Sequence, residues 1–248
     1  MRYLRWIGIM ALALIVAGCV KVDQTITLDK DGSGTLEMRY GMSEQTIAQL
    51  EAMQQMSQGM GEEGAAGAED ESPFEFDEEQ VRRDFEADKP EGVELVALSS
   101  ENVGGWKYIN MTLKFDDLEA LKRTEFFEDS NLSLVRDGDG NYVLTQTSGD
   151  DAVGDMGDMG DMGGDGEEMQ AQMMQQMSAM FAGLRIVTSV VVPTKIIDTN
   201  ATEVEGDKAS WVFDIDEDPA VLSKLDNTKM RVVFAGEGLS LPEVHSRD

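Results

Sequence analysis

The chain is poor in the residues that carry most enzyme chemistry. It has one histidine, His245, and one cysteine, Cys19. A disulfide framework is thereby excluded. A nucleophile needs a neighbouring base, and His245, three residues from the end in an expected tail, is a poor one. No glycine-rich loop follows a strand and opens a helix, as a phosphate cradle requires. Carboxylate pairs are plentiful, but 49 acidic residues produce pairs by chance. The chain is therefore read as a non-enzyme. No catalytic, cofactor-binding or metal residue is nominated, and no cofactor is expected.

Cations are scarce too. Twenty Lys and Arg stand against the 49 acids, for a formal charge of -29. Such a surface repels nucleic acid and anionic headgroups and favours solubility and cationic partners. Beyond the N-terminus no apolar run reaches the length of a membrane helix. The best, "LRIVTSVVVP", is strand-length and β-branched.

What is present begins at the N-terminus. "MRYLRWIGIMALALIVAGC" carries Arg2 and Arg5, an apolar run from Trp6 to Ala17, then small residues. That is the layout of an export signal, too short and wrongly flanked for a stable membrane span. Its end, Val16-Ala17-Gly18-Cys19, resembles the lipobox of bacterial lipoproteins. The resemblance implies cleavage after residue 18, a diacylglycerol on the Cys19 sulfur and an acylated new amino group, hence lipidation at Cys19. Val20 rather than Asp follows, which in enteric-type sorting implies the outer membrane where the cell has one. The remaining chain, residues 19–248, is expected to be a single extracytoplasmic domain tethered to the cell envelope by lipid. With no further cysteine, its core must hold the fold alone.

Two stretches lack the apolar content to offset ordering entropy: residues 59–72, "GMGEEGAAGAEDES", and 149–166, "GDDAVGDMGDMGDMGGDG". Both are expected to be disordered acidic insertions. Each adjoins a Met- and Gln-rich helical pattern. In the first, Ile47, Leu50, Met53 and Met56 recur three apart, with Ser43 placed as N-cap and Met42 and Ile47 as a staple. In the second, Met169, Met173, Met177, Met180 and Leu184 share a face, with Glu167 and Glu168 in the first turn. Shorter helices are predicted in "DEEQVRRDFEAD" and "DDLEALKR". The other segments alternate as strands: "VDQTITL", "TLEMRYG", "GVELVALSSENV", "GWKYINMTLKF", "NLSLVRD", "NYVLTQTS", "LRIVTSVVVP", "KASWVFDI" and "KMRVVFAG". Hairpins mixed with helices predict an α+β fold, a mainly antiparallel sheet packed against the Met-rich amphipathic helices.

"DKDGSGTLEMRY", residues 29–40, imitates a calcium loop, with Asp29, Asp31 and Ser33 at positions 1, 3 and 5 and Gly34 at 6. Position 12 is Tyr40 instead of a bidentate Glu, and the flanks alternate with period two. Asp31-Gly32-Ser33-Gly34 instead predicts a hairpin turn using positive φ at glycine. "DGDGN" at 137–141 reads the same way.

Two binding chemistries remain. Methionine surfaces repack around varied apolar ligands, so the Met faces either close an ordinary core or cover a pocket for lipid or an apolar partner. Alternatively, Met156, Met159 and Met162 offer soft thioethers to Cu(I), and the acidic segments offer oxygen to divalent cations.

"CVKVDQTITLDKDGSGTLEMRYGMS" and "VVVPTKIIDTNATEVEGDKASWVFDI" together resemble the LppM-type domain of bacterial lipoproteins. The first places a hairpin after the lipid cysteine. The second has a Pro-x-Lys run, Asn200 and a Trp211 strand after a glycine turn. Thr194 and Ala201 stand where that pattern has glycine. The resemblance implies an α+β extracytoplasmic domain without known catalysis, for which lipid handling is the suggested role, and it carries no ligand residues across. The leading expectation is a lipid-anchored, non-catalytic binding module with a lipid or envelope-protein partner; metal handling is the alternative.

Overall fold

The computed structural model describes residues 20–48, 77–127, 130–147, 183–218, 221 and 228–246. The signal segment with Cys19, both acidic insertions and the second Met-rich pattern apart from Leu184 lie outside them, as does the first Met-rich pattern beyond residue 48.

Among the described residues, eleven strands form two sheets. The larger contains β1 (Val20–Leu28), β2 (Gly34–Ser43), β3 (Val93–Val103), β4 (Trp106–Phe115), β7 (Arg185–Val191), β9 (Glu203–Glu205) and β10 (Lys208–Asp214), in the order β3-β4-β2-β1-β7-β10-β9. The smaller contains β5 (Ser133–Arg136), β6 (Tyr142–Thr147), β8 (Ile196–Thr199) and β11 (Lys229–Phe234), in the order β5-β6-β11-β8. Every ladder is antiparallel except β1 with β7. The predicted strands all form; β8 and β9 are too short to leave a period-two signature. Helices α1 (Glu78–Asp88) and α2 (Leu118–Lys122) accompany the sheets. Asp77 caps α1 by accepting from the backbone N–H groups of Glu79 and Gln80, and Asp117 caps α2 by accepting from that of Ala120.

Register decides which residues share a face. Ile26, Leu36 and Leu113 stand opposite one another on β1, β2 and β4, and Leu28, Gly34 and Phe115 form the next row. Across β7 and β10 the same face continues through Val190, Ala209 and Trp211. The smaller sheet contributes Leu134, Tyr142, Leu144, Met230, Val232 and Phe234. Both sets belong to one core cluster with α2 and Phe127. The antiparallel-dominated sheet with helices is therefore present. Among the described residues, a second sheet and a short buried helix pack on the core; the Met-rich patterns lie almost wholly outside them, and so does their expected packing on the sheet. The opening turn of the first Met-rich pattern does form: residues 44–48 are helical, and Ser43 Oγ accepts from Thr46 N at 3.1 Å.

Residues 29–33 form the turn of the β1–β2 hairpin. Asp29 N donates to Ser33 O, Gly32 N to Asp29 O, and Asp31 Oδ1 accepts from both Ser33 N and Ser33 Oγ. The Asp31 carboxylate is thus engaged in its own turn, and these bonds hold its pKa below the usual carboxylate value. The turn at 137–141 repeats the device, with Asp137 accepting from Asp139 N and Asn141 N. The glycines divide differently from the sequence reading. Gly32 has φ +94°, but Gly34 already belongs to β2. A Cβ on Gly34 would meet Thr27 O and the Phe115 ring, so glycine is needed there for close approach.

Asn200 and Trp211 acquire a physical role. Asn200 Oδ1 accepts from Trp211 Nε1 at 3.2 Å and Arg231 N at 2.9 Å, while its Nδ2 donates to Lys229 O at 2.7 Å. One side chain clasps the two sheets. No described residue other than glycine has positive φ, so Thr194 and Ala201 carry no backbone strain.

A candidate apolar groove

Among the described residues, the core cluster thins toward one end of the larger sheet's inner face, where Met38, Tyr40 and Ile109 are half-buried. Two residues along β2 from Leu36, the same face presents Met38 and then Tyr40; on β4 it presents Met111 and then Ile109. These four form the floor of a groove of about 650 Å³. Its walls are the face of α1 bearing Val81, Asp84, Phe85 and Asp88, and the segment Thr124–Phe126.

Local chemistry positions each wall. Val81 and Phe85, one turn apart, bring the apolar side of α1 over the floor, and Phe85 packs against the core. Yet α1 buries no residue completely. It spans the sheet with space beneath it. Glu78 Oε1 accepts from Ser100 N and Ser100 Oγ at 2.6 and 2.8 Å, pinning the start of α1 to β3. On the other wall, Thr124 Oγ1 donates to Leu121 O, and Phe126 remains 41% exposed.

The floor is apolar with one polar tip. Burial pushes the Tyr40 phenol up, so it stays neutral throughout the physiological range. Across from Met38 on β1, Gln24 has a buried Nε2 without a hydrogen-bond partner. The rim is acidic. Asp84, Asp88 and Glu125 face it against a single Lys89, whose ammonium is already 2.6 Å from Glu86. This arrangement can hold an apolar body and favours a neutral or cationic head over an anionic one.

The methionines at this site are Met38 and Met111, on strands. Sequence reasoning sought methionine on helices and missed them; their sole sequence signal was alternation with Leu36, Tyr40, Ile109 and Leu113. His245 is exposed, and its nearest acid is Glu243 at 3.9 Å. The segment before it is no loose tail. Val244 exchanges backbone hydrogen bonds with Leu134, Leu241 N donates to Tyr142 Oη, and the buried Lys122 donates to His245 O. Cys19 and the Met156, Met159 and Met162 series lie outside the described residues.

No protein-family model matches the chain, and no curated protein matches it. Ten chains among solved structures do. One is the folded domain of the Mycobacterium tuberculosis LppM protein, determined by NMR. It is 13% identical, with 88% of this chain and 91% of that chain covered, at a TM-score of 0.42. It is of the type that the two terminal segments resemble. At that score the likeness transfers neither residue roles nor a ligand.

Proposed function

We propose that this is a lipid-anchored envelope lipoprotein whose domain is a non-catalytic binding module for an apolar or amphiphilic ligand. The groove beneath α1 is its site. The observation carrying this reading is the groove itself: a floor of half-buried Met38, Ile109 and Tyr40 beside the core residue Met111, uncovered among the described residues and in the size range of small-ligand sites. Two thioether side chains suit it to ligands of variable shape. The three rim carboxylates favour a neutral or cation-headed lipid over a free fatty acid. Anchoring is supported by the lipobox resemblance at Cys19 and by its position directly before β1. Among the described residues no helix is long and apolar enough to cross a membrane.

The test is a competition. The purified protein is titrated with a long-chain alkylamine and a fatty acid of the same chain length, by tryptophan emission and calorimetry. The amine is expected to bind more tightly, with the preference falling as salt screens the rim. Ala87→Trp, on the exposed side of α1 at the groove mouth, is expected to remove binding without lowering the melting temperature. Equal binding to the variant and the unmodified protein would move the site elsewhere.

A further inference from the structure

The larger sheet has two opposite ends. At one lies the β1–β2 turn with Lys30; at the other lie Val20, the first residue of β1, and the β3–β4 turn at Gly104-Gly105. Register brings these last two together. Val20 pairs with Met42, Met42 with Lys107, and Ser43 with Trp106, while Glu44 N donates to Gly105 O at 2.9 Å. Val20 and the hairpin tip are separated by β2 alone, about 10 Å at the usual strand spacing. Cys19 is bonded directly to Val20. Acyl chains on Cys19 therefore leave the domain beside this tip.

This end carries exposed apolar, aromatic and cationic side chains together. Val103 is 55% exposed, among the most exposed large apolar residues described. Trp106 is half-buried and stacks on Tyr108, their centroids 6.1 Å apart. Lys21 Nζ lies 4.2 Å from the Trp106 ring centroid, and Arg39 stands over Tyr108. Arg39 is paired with Glu101, but Lys21 and Lys107 form no ion pair among the described residues. On a chain of formal charge -29, this end gathers Lys21 over Trp106, with Lys107 next to it on the opposite face of β4. They match the headgroup level of a bilayer, where amphipathic rings and long cationic side chains sit with apolar parts inward and polar ends in water.

We infer that the β3–β4 tip, with Val103, Trp106, Lys21 and Lys107, rests on the surface of the bilayer that holds the anchor. The domain then stands with the β1–β2 turn farthest from the membrane. The inference rests on the anchoring proposed above, through Cys19. It also gives the groove an orientation. Ile109 is three residues from Trp106, so the groove floor begins about 10 Å above the lipid surface, within reach of a molecule leaving the bilayer.

The experiment uses the mature acylated full-length protein in vesicles of phosphatidylethanolamine and phosphatidylglycerol, recovered by flotation. Acylation occupies the native thiol, so Val103→Cys and Lys30→Cys each introduce a single site for a nitroxide label. Electron paramagnetic resonance then compares collisions with oxygen, which partitions into lipid, and with a water-soluble nickel chelate. The label at 103 is expected to gain oxygen and lose nickel collisions several-fold relative to the label at 30. In a label-free arm, phosphatidylcholine brominated high on its acyl chains is expected to quench the unmodified protein and to spare Trp106→Phe. Floating vesicles whose two labels are equally nickel-accessible would overturn the inference and leave the anchor standing. Protein that neither floats nor carries acyl chains would remove the anchor, and the inference with it.

Discussion

Gly34→Ala should destabilise this protein more than Gly32→Ala, although only Gly32 has a backbone conformation that disfavours side chains. At residue 34 three strands meet: Leu28 of β1 and Phe115 of β4 are its direct partners. The added methyl would overlap Thr27 O and lie 2.5 Å from Phe115 Cζ, and Phe115 is fully buried. Overpacking of this kind costs about 1–3 kcal/mol. Moving β1 away from the methyl weakens a ladder hydrogen bond, for about 1 kcal/mol more. The sum is about 3 kcal/mol, or roughly 6–12 °C in melting temperature for a domain of this size. At Gly32, with φ +94°, a left-handed alanine costs about 1–2 kcal/mol, and its methyl would press on Pro242 Cδ at 2.9 Å, the edge of one ring. Thermal unfolding followed by circular dichroism, with urea titration as a check, measures both. Adding Phe115→Leu to Gly34→Ala should recover part of the loss, since the ring is one of two obstacles. If Gly34→Ala were neutral while Gly32→Ala was costly, close approach at the three-strand row would be the wrong reason for a glycine there.

Asn200→Ala should cost about 2–3 kcal/mol in urea unfolding, because it leaves the indole N–H of the buried Trp211 without its acceptor and removes two further bonds to β11. Thr194→Gly and Ala201→Gly, which restore the glycines of the resembled pattern, should not stabilise, since neither position has positive φ. Asp31 and Asp137 are held below the ordinary carboxylate value by hydrogen bonds within their turns. Their contribution is therefore complete above about pH 4 and is lost as pH falls through their lowered folded values. Asp137→Ala should flatten the acid limb of a melting-temperature profile without changing its neutral plateau's shape. Cys19→Ser should abolish incorporation of a fatty-acid analogue and leave the N-terminal segment uncleaved; label retained by the variant would refute the lipobox reading.

The sequence by itself determined the strands and turns, because each rests on interactions a few residues apart. Alternation of apolar residues wrote β1 through β7, β10 and β11, Ser43 announced the helical turn at 44–48, and Tyr40 at the twelfth loop position favoured a hairpin over a calcium loop. The charge and the N-terminal segment likewise needed no fold to be read. What only the tertiary structure decided depends on residues far apart in the chain. Gly34 looked like a turn glycine and is a packing glycine, because Phe115 arrives from β4. Asn200 had no local signal for its work, since its partners are Trp211 on one sheet and residues 229 and 231 on the other. The groove was illegible for the same reason. Met38 and Met111 alternate like any core residue, and nothing in a period of two says where along a sheet the covering layer stops. Among the described residues, the smaller sheet and α2 share the core cluster with the Leu36–Leu113 rows, and α1 stands over the rows beyond. Burial is a property of what packs opposite, and a one-dimensional pattern records only which side faces it.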